Sequence, residues 1–577
     1  MTARGFSSQQ GRGSRAAGIG YDMIARPDFA SSGAAQPDAR VLDGGRRRLS
    51  LALVFFVGAF AVVAGRLALL GAASDADVRH AYVPPAPVQA ARPDIVDRNG
   101  EIMATDIITA SLFADARKVL SPGEAARQIV RVLPELDEEK VRADLSSERA
   151  FVWLKRDLSP RQQYAIHNLG IPGIDFRREL KRVYPNGRAA AHVLGYVDID
   201  NQGISGIEKY LDTRGEAEQG KPVRLSIDLR VQHILTGELS EAMKTFSAKA
   251  ASGVVVDVRS GEVMAMASLP DFDPNDPTAS SDFARFNRAS LGVYEMGSTF
   301  KAFTTAAALE SGRVSLAQEY DAREPIRVAR FTINDYHAQR RWMSVPEIFM
   351  HSSNIGTAKM AMDVGRDEHR AFLGKLGLLT RAGIELPESG APLLPHPWTD
   401  ISMMTISYGH GLSVTPLQVA AAGATLVNGG YKVTPTFLRQ KVPAAGPQVI
   451  SQKTSLAMRA LMRLVVEEGT GSNADVPGYP VMGKTGTAEK AVAGGYSKKS
   501  LITSFLSAFP ANDPQFAMLV VLDEPKGTKE TFGYATAGWN AAPLTGRIVQ
   551  RIAPLLGVKP AERWVSPVQE ASLIRTE

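Results

Sequence analysis

The sequence contains no cysteine, which excludes disulfides, thiolate nucleophiles and cysteine-ligated zinc or iron–sulfur centres. Its nine histidines show no His-Glu-x-x-His or comparable ligand spacing, so neither a metal nor another cofactor is expected. Charge of one sign is not in large excess: 66 Lys plus Arg stand against 60 Asp plus Glu, a net of +6. No basic run exceeds Arg46-Arg47-Arg48, so nucleic acid is not an expected partner. Aromatics are sparse at 7%, but hydrophobic residues make up 44%, enough for a sizeable core and incompatible with wholesale disorder. At roughly 100 to 200 residues per domain, the length suggests about three to five units. No fixed-period repeat runs through them.

Long hydrophobic runs are also missing, with one exception. Leu49 to Gly65 is uncharged over 17 residues, about 25 Å as a helix at ~1.5 Å per residue, and its continuation past Arg66 gives a membrane anchor over 49–71. The run is apolar all round, where a core helix would be striped. Gly71-Ala72-Ala73 would suit a signal peptidase, but the 48-residue leader and Arg66 argue against cleavage. Arg46 to Arg48 precede the run and Asp75 and Asp77 follow it, so the positive-inside bias puts the N-terminus in the cytoplasm and about 500 residues outside. Residues 1–48 read as a disordered cytoplasmic tail. Residues 72–93, with Val83-Pro84-Pro85-Ala86-Pro87, read as a stiff Pro-rich linker, and 561–577 as a C-terminal tail. Arg66 either snorkels to the outer interface or pairs within the bilayer with a partner protein.

In the exported part, Asp94 to Val96 and Glu101 to Ala104 flank Asp97-Arg98-Asn99-Gly100, where Asn-Gly supplies the positive φ angles of a tight hairpin. From there to about Gly215 the pattern is one of short helical stretches and loops without a nucleophile-and-base cluster, a non-catalytic spacer. A second unit starts near Val223. Ala251 to Val258 and Glu262 to Ser268 form one strand pair, and Thr503 to Phe509 and Gln515 to Leu522 another, with helical stretches between. Strands at both ends with helices in the middle suggest an α+β domain whose antiparallel sheet is closed by distant segments.

Three short motifs lie in this unit. Ser298-Thr299-Phe300-Lys301 begins an Ala-rich helical stretch that stops at Ser311-Gly312. Positions i and i+3 share a face, so the amine stands near the hydroxyl. A serine needs a base, and a lysine serves only when burial or a neighbouring cation keeps it neutral. Ser352-Ser353-Asn354 supplies a second hydroxyl and a side-chain amide for relaying a proton and holding a substrate amide. On its own it reads as a helix cap or polar loop. Lys484-Thr485-Gly486-Thr487, as a strand, offers a cation and two hydroxyls to a carboxylate, with Gly486 allowing a substrate backbone close. Gly478 to Thr485 also matches the P-loop pattern letter for letter. A P-loop needs a strand before it, a helix after it and free amides. Here Glu467 to Asn473 precede, Pro480 sits inside, and Gly494-Gly495 follow, so a nucleotide triphosphatase is rejected.

The order Ser-x-x-Lys, Ser-x-Asn, Lys-Thr-Gly is that of penicillin-binding proteins and class A β-lactamases. Arg92-Pro93, Asp97 to Gly100, Tyr184-Pro185 with His192 to Tyr196, and Gly203 to Glu208 resemble the pedestal signatures of class B penicillin-binding proteins. Ser407-Tyr408-Gly409-His410-Gly411 with Thr415 to Gln418 resembles the division-type branch more than the elongation branch, which carries a Gly-Gln-Gly version. Met296 departs from the usual proline without touching the nucleophile. The resemblance implies a penicillin-binding, serine β-lactamase-like transpeptidase domain over 223–560, preceded by one transmembrane helix and a mixed α/β pedestal of dimerisation type over 94–215.

It further implies a D,D-transpeptidase of the bacterial inner membrane, its catalytic domain periplasmic, cross-linking peptidoglycan stem peptides at the division septum and inhibited by β-lactams. Ser298 would be the nucleophile, Lys301 its base and Ser352 a proton relay. Asn354, Lys484, Thr485, Gly486 and Thr487 would bind substrate. Without a glycosyltransferase site, glycan polymerisation falls to a membrane-embedded polymerase among other division partners. A β-lactamase is disfavoured by the anchor and by Glu385-Leu386-Pro387-Glu388, which lacks the asparagine of a deacylation element. A side-wall enzyme and a non-catalytic septal scaffold are the alternatives.

Overall fold

In the computed structural model, which describes residues 39–72, 91–215, 220–328, 331–442, 446–492 and 495–561, the apolar run is part of one helix, Ala39–Ala72. Its stretch Leu49–Ala68 has a mean hydropathy of 2.2 and is the one helix among the described residues long and apolar enough to cross a membrane. The helix begins ten residues earlier than the run, so 39–48, expected to be disordered tail, is helical. Each residue added to an existing helix gains a backbone hydrogen bond for only two fixed dihedrals, so a stable apolar helix extends into permissive flanks. The rest of that tail, the linker with Val83 to Pro87, and 562–577 lie outside the described residues.

Met1–Pro87 and Val88–Glu577 are two compact units, fewer than length alone suggests. Within the second, β1 (Ile95–Val96), β2 (Ile102–Ala114), β3 (Val152–Leu158), β4 (Ile174–Val183) and β5 (Val223–Arg224) form a sheet of order β3-β2-β1-β5, with β4 also on β2. The turn before β2 uses only one positive φ, at Gly100. The Asp97 carboxylate replaces the second, accepting from the amides of Asn99 at 2.7 Å and Glu101 at 2.9 Å.

The sequence reading missed β3 and β4. The reason is visible in β4, whose one buried side chain is Arg182, so no apolar alternation marks it. Arg182 donates to Glu208 at 2.7 Å, and Arg92 donates to the same carboxylate at 3.0 Å and to Asp212 at 2.6 Å. Glu208 is fully buried, so its signature is an interior ion network rather than surface. The spacer and the following unit are not separable bodies. β1 pairs in parallel with β5, and Ile95, Met103 and Tyr184 share a core with Val254, Phe303 and Leu506.

β6 (Ala250–Asp257) and β7 (Val263–Leu269) make the first expected hairpin. Two short ribbons follow, β8 (Glu319–Asp321) with β11 (Trp342–Ser344), and β9 (Ile326–Val328) with β10 (Phe331–Ile333). The late strands β12 (Met482–Val492), β13 (Gly495–Phe509) and β14 (Phe516–Asp523) join the early hairpin in one antiparallel sheet, order β12-β13-β14-β6-β7. Both faces are covered. Val254, Val256, Leu519 and Leu506 point into the core beneath helices Lys301–Glu310 and Pro416–Val427. Val255, Val520 and Phe505 point the other way, against Leu229–Thr245 and Ala541–Leu555. Alternate residues therefore serve different cores, which is why these strands read as continuous apolar runs.

Candidate active site

One edge strand of this sheet, β12, lies along the head of the Lys301–Glu310 helix. Ser298 sits in the one-turn 3-10 segment Gly297–Phe300 that leads into that helix, and Lys301 is the first α-helical residue. Gly297 takes φ +53°, and a Cβ there would stand 2.7 Å from the Thr487 carbonyl. The turn is thus pressed against β12 by backbone. The Ser298 amide and hydroxyl have no hydrogen-bond partner among the described residues.

Lys301 is fully buried. Its Nζ donates to the Ser352 carbonyl and, at 3.1 Å, to the Ser352 hydroxyl. Lys484, also fully buried, reaches the same hydroxyl at 3.0 Å from β12 and stands 5.8 Å over the Phe349 ring. Two amines therefore converge on one oxygen, and Ser352 holds it there with a left-handed backbone at φ +62°, a strained setting for a residue with a Cβ. Burial pushes Lys301 well below the ordinary lysine range and the Lys484 cation pushes it further, while Asp335 opposes both. Burial brings Lys484 down to about 7. Both amines are therefore held close to neutrality, as a base requires.

Of the remaining expected residues, Thr485 Oγ1 lies 2.6 Å from Thr470 Oγ1, and Thr487 Oγ1 accepts from the Ala537 amide at 3.1 Å. Gly486 lies in the closest part of this contact. A Cβ there would collide with the Met296 carbonyl and the Ser504 hydroxyl, so its smallness serves the fit of β12 against the nucleophile turn. Asn354 does not join the lysines. It opens the helix Asn354–Val364, and its side-chain amide donates to the Asn334 carbonyl at 2.8 Å. Ser353 is the cap of that helix, so the bland reading of the motif holds for Ser353 while Ser352 alone faces the amines.

The sequence reading missed Asp335. Its carboxylate accepts from the Ser353 hydroxyl at 2.7 Å and the Ile355 amide at 2.9 Å, pinning the loop that presents Ser352. No local pattern marks it, because its partners are 18 and 20 residues away. The P-loop match dissolves, since Lys484 and Thr485 pair with Leu506 and Phe505 inside a strand. The two glutamates of 385–388 are both occupied: Glu385 accepts from Thr436 at 2.5 Å and from the Phe437 amide at 2.9 Å, and Glu388 from the Gly206 amide at 3.2 Å. No cluster of potential metal ligands occurs among the described residues.

A serine at a helix head, backed by two amines kept near neutrality and flanked by a sheet edge that a peptide can lengthen, defines a serine acyltransferase. Known proteins agree. The penicillin binding protein transpeptidase domain matches residues 251–550, and the penicillin-binding protein dimerisation domain matches 87–223. The chain is 42% identical over 488 residues, 82% of each chain, to the probable peptidoglycan D,D-transpeptidase FtsI of Caulobacter vibrioides. It is 29% identical to the peptidoglycan D,D-transpeptidase FtsI of Escherichia coli, over 82% of this chain and 85% of that one. Among solved structures, penicillin binding protein 3 of Mycobacterium tuberculosis, complexed with aztreonam, superposes with a TM-score of 0.64 at 26% identity, covering 82% of this chain and 97% of that one. The chain belongs to the class B penicillin-binding proteins.

Proposed function

We propose that this protein is a peptidoglycan D,D-transpeptidase of the division septum, working through an acyl-enzyme on Ser298. The observation that carries the reading is the convergence of Lys301 and Lys484 on the Ser352 hydroxyl beside the turn bearing Ser298. Ser298 Oγ attacks the carbonyl between the two terminal D-Ala residues of a donor stem, and neutral Lys301 takes its proton. Catalytic hydrogen bonds are often loose before substrate arrives, so the unengaged Ser298 hydroxyl is compatible with this role. The C–N bond breaks, Ser352 passes the proton to the departing amine, and D-Ala leaves. An acceptor amine from a second stem then displaces Ser298.

Lys484, Thr485 and Thr487 bind the donor's terminal carboxylate, and Asn354 holds the donor peptide. The backbone amides of Ser298 and Thr487 serve as oxyanion donors, typically worth ~10²- to 10³-fold in rate each. The close approach of Gly297 to Thr487 supports that pairing.

The helix Ala39–Ala72 anchors the chain in the inner membrane, with the N-terminus cytoplasmic and residues from Val88 periplasmic. A membrane-embedded polymerase supplies the glycan and works with this protein among the division machinery. The identity to division-type relatives supports the septal assignment.

Labelled penicillin tests the chemistry, because it resembles the D-Ala-D-Ala terminus. It acylates Ser298 in the full-length protein, read by mass spectrometry, and Ser298→Ala abolishes the adduct; persistent labelling of that variant assigns another nucleophile. Depletion in growing cells tests the role: filaments support division, and rounding supports the side wall.

A further inference from the structure

The β12–β13 ribbon overhangs the sheet. The pairing of β13 with β14 ends at Ile502 with Asp523, whereas its pairing with β12 runs on to Gly495 with Val492. Among the described residues, 495–497 therefore pair with β12 alone, 498–500 fall in a break of that ladder, and Leu501 keeps one further bond, its carbonyl accepting from the Glu524 amide at 2.8 Å. A two-stranded ribbon is marginally stable by itself in water, and this one begins two residues beyond Thr487, which is itself backed by β13 and β14. It needs to be held down.

Two ties are present. Lys490 donates to Asp523 at 2.8 Å and to Glu524 at 3.1 Å, fastening the ribbon to the sheet side. On the other side Tyr496, near the tip and 47% exposed, donates its hydroxyl to Glu295 Oε1 at 3.0 Å. Glu295 lies three residues before Ser298, and the same oxygen accepts from the Gly411 amide at 2.9 Å. One carboxylate oxygen thus joins three elements: the nucleophile turn, the ribbon tip and the loop after helix Asp400–Ser407.

The join continues around it. Gly297 donates to the Gly409 carbonyl at 3.2 Å, and Gly409 leaves no room for a Cβ against Gly297. The His410 ring sits between Tyr408 and Tyr496, with centroid distances of 5.5 and 5.7 Å. Glu295 Oε2 is buried without a partner among the described residues. A carboxylate held by one oxygen, with the other desolvated and unpaired, costs folding free energy, so stability alone does not account for Glu295 at this position.

We infer that Glu295 is a positioning residue for acylation, tying the β12–β13 ribbon and the 408–411 loop to the turn that carries Ser298 so that the three move as one body. The inference rests on the acyl-enzyme reading above. Tyr496 and Gly411 are the groups through which Glu295 acts, and the hydrogen-bond acceptor, rather than the charge, is what the tie requires.

The test uses full-length protein in detergent and labelled penicillin, with the initial dissociation constant and the acylation rate constant separated by stopped-flow. Tyr496→Phe, at a half-exposed site that tolerates the change, lowers the acylation rate constant about tenfold, the effect of one hydrogen bond to a charged group, with little change in initial binding. Glu295→Ala lowers it at least as much, Glu295→Gln restores most of the rate because its amide oxygen accepts both bonds, and the double variant Glu295→Ala, Tyr496→Phe is no slower than Glu295→Ala alone. Hydrogen exchange across 488–501 rises in Tyr496→Phe. Unaltered rate and exchange in Tyr496→Phe, additive losses, or Glu295→Gln as slow as Glu295→Ala would each overturn the inference. Absence of a Ser298 adduct in the unsubstituted protein would instead refute the acyl-enzyme reading.

Discussion

Removing the Lys484 cation moves the pH dependence of acylation in a direction the geometry dictates. Both amines bond the Ser352 hydroxyl, at 3.1 and 3.0 Å, so they stand no more than about 6 Å apart. Two unit charges at that distance repel by about 3 kcal/mol at an effective dielectric constant near 20. That repulsion changes the ratio of neutral to charged Lys301 by about a hundredfold when Lys484 is charged. Lys301 acts as a base only when neutral. Lys484→Gln therefore stabilises charged Lys301 and shifts the acid limb of the acylation profile to higher pH. Asp335 works in the opposite sense, because its carboxylate favours charged Lys301; Asp335→Asn shifts the limb to lower pH, even as it loosens the Ser352 loop and lowers the plateau rate. The assay is the second-order acylation rate constant of a chromogenic β-lactam followed from about pH 5 up to about the ordinary lysine value near 10. Shifts of the same sign in both variants, or none in either, refute Lys301 as a base tuned by these neighbours.

Replacing the buried amine by an apolar chain of similar length, in Lys301→Met or Lys484→Met, abolishes or cripples acylation yet raises thermal stability by about 1 kcal/mol or more, as when buried charge gives way to packing; a lower melting temperature in both variants contradicts this. Glu208→Leu takes the shared carboxylate from buried Arg92 and Arg182, leaving each one remaining carboxylate, Asp212 and Asp106, and lowers stability by about 3 kcal/mol in a denaturant titration; a change under about 1 kcal/mol would show the network to be dispensable. With Glu385 and Glu388 both occupied by structural hydrogen bonds, no carboxylate of that segment is free to activate water, so the penicilloyl adduct outlasts minutes; turnover within seconds argues for a hydrolase. Reporters active only in the cytoplasm work when fused before Arg46 and fail after Asp75, and a mature N-terminus at Ser74 would show that the apolar helix is a cleaved signal.

Much of this molecule is written in local patterns. An apolar helix of spanning length needs no partner to be recognised, since every residue in the run has the same environment. The central strands are legible because both of their faces are buried, which turns them into apolar runs bounded by Arg259-Ser260-Gly261 and Asn512-Asp513-Pro514. The three motifs were legible because each packs its chemistry into four residues or fewer, and their order along the chain carried the family.

What stayed hidden depends on pairs far apart in sequence. Strand β4 has no apolar signature because its one buried side chain is Arg182, whose partner Glu208 is 26 residues on. The spacer and the unit after it share a core because β1 pairs with β5, a contact that no linker composition reports. Lys301 turns to Ser352, 51 residues away, and Lys484 to the same hydroxyl across 132. A motif supplies the amine, but only close packing supplies the desolvation and the second cation that make it a base. Asp335, Glu295 and the close packing at Gly486 belong to the same class. Glu295 and Gly486 gain meaning from backbone approaches between β12, the nucleophile turn and the 408–411 loop, and Asp335 from its bonds to Ser353 and Ile355; such approaches exist only once the chain has folded.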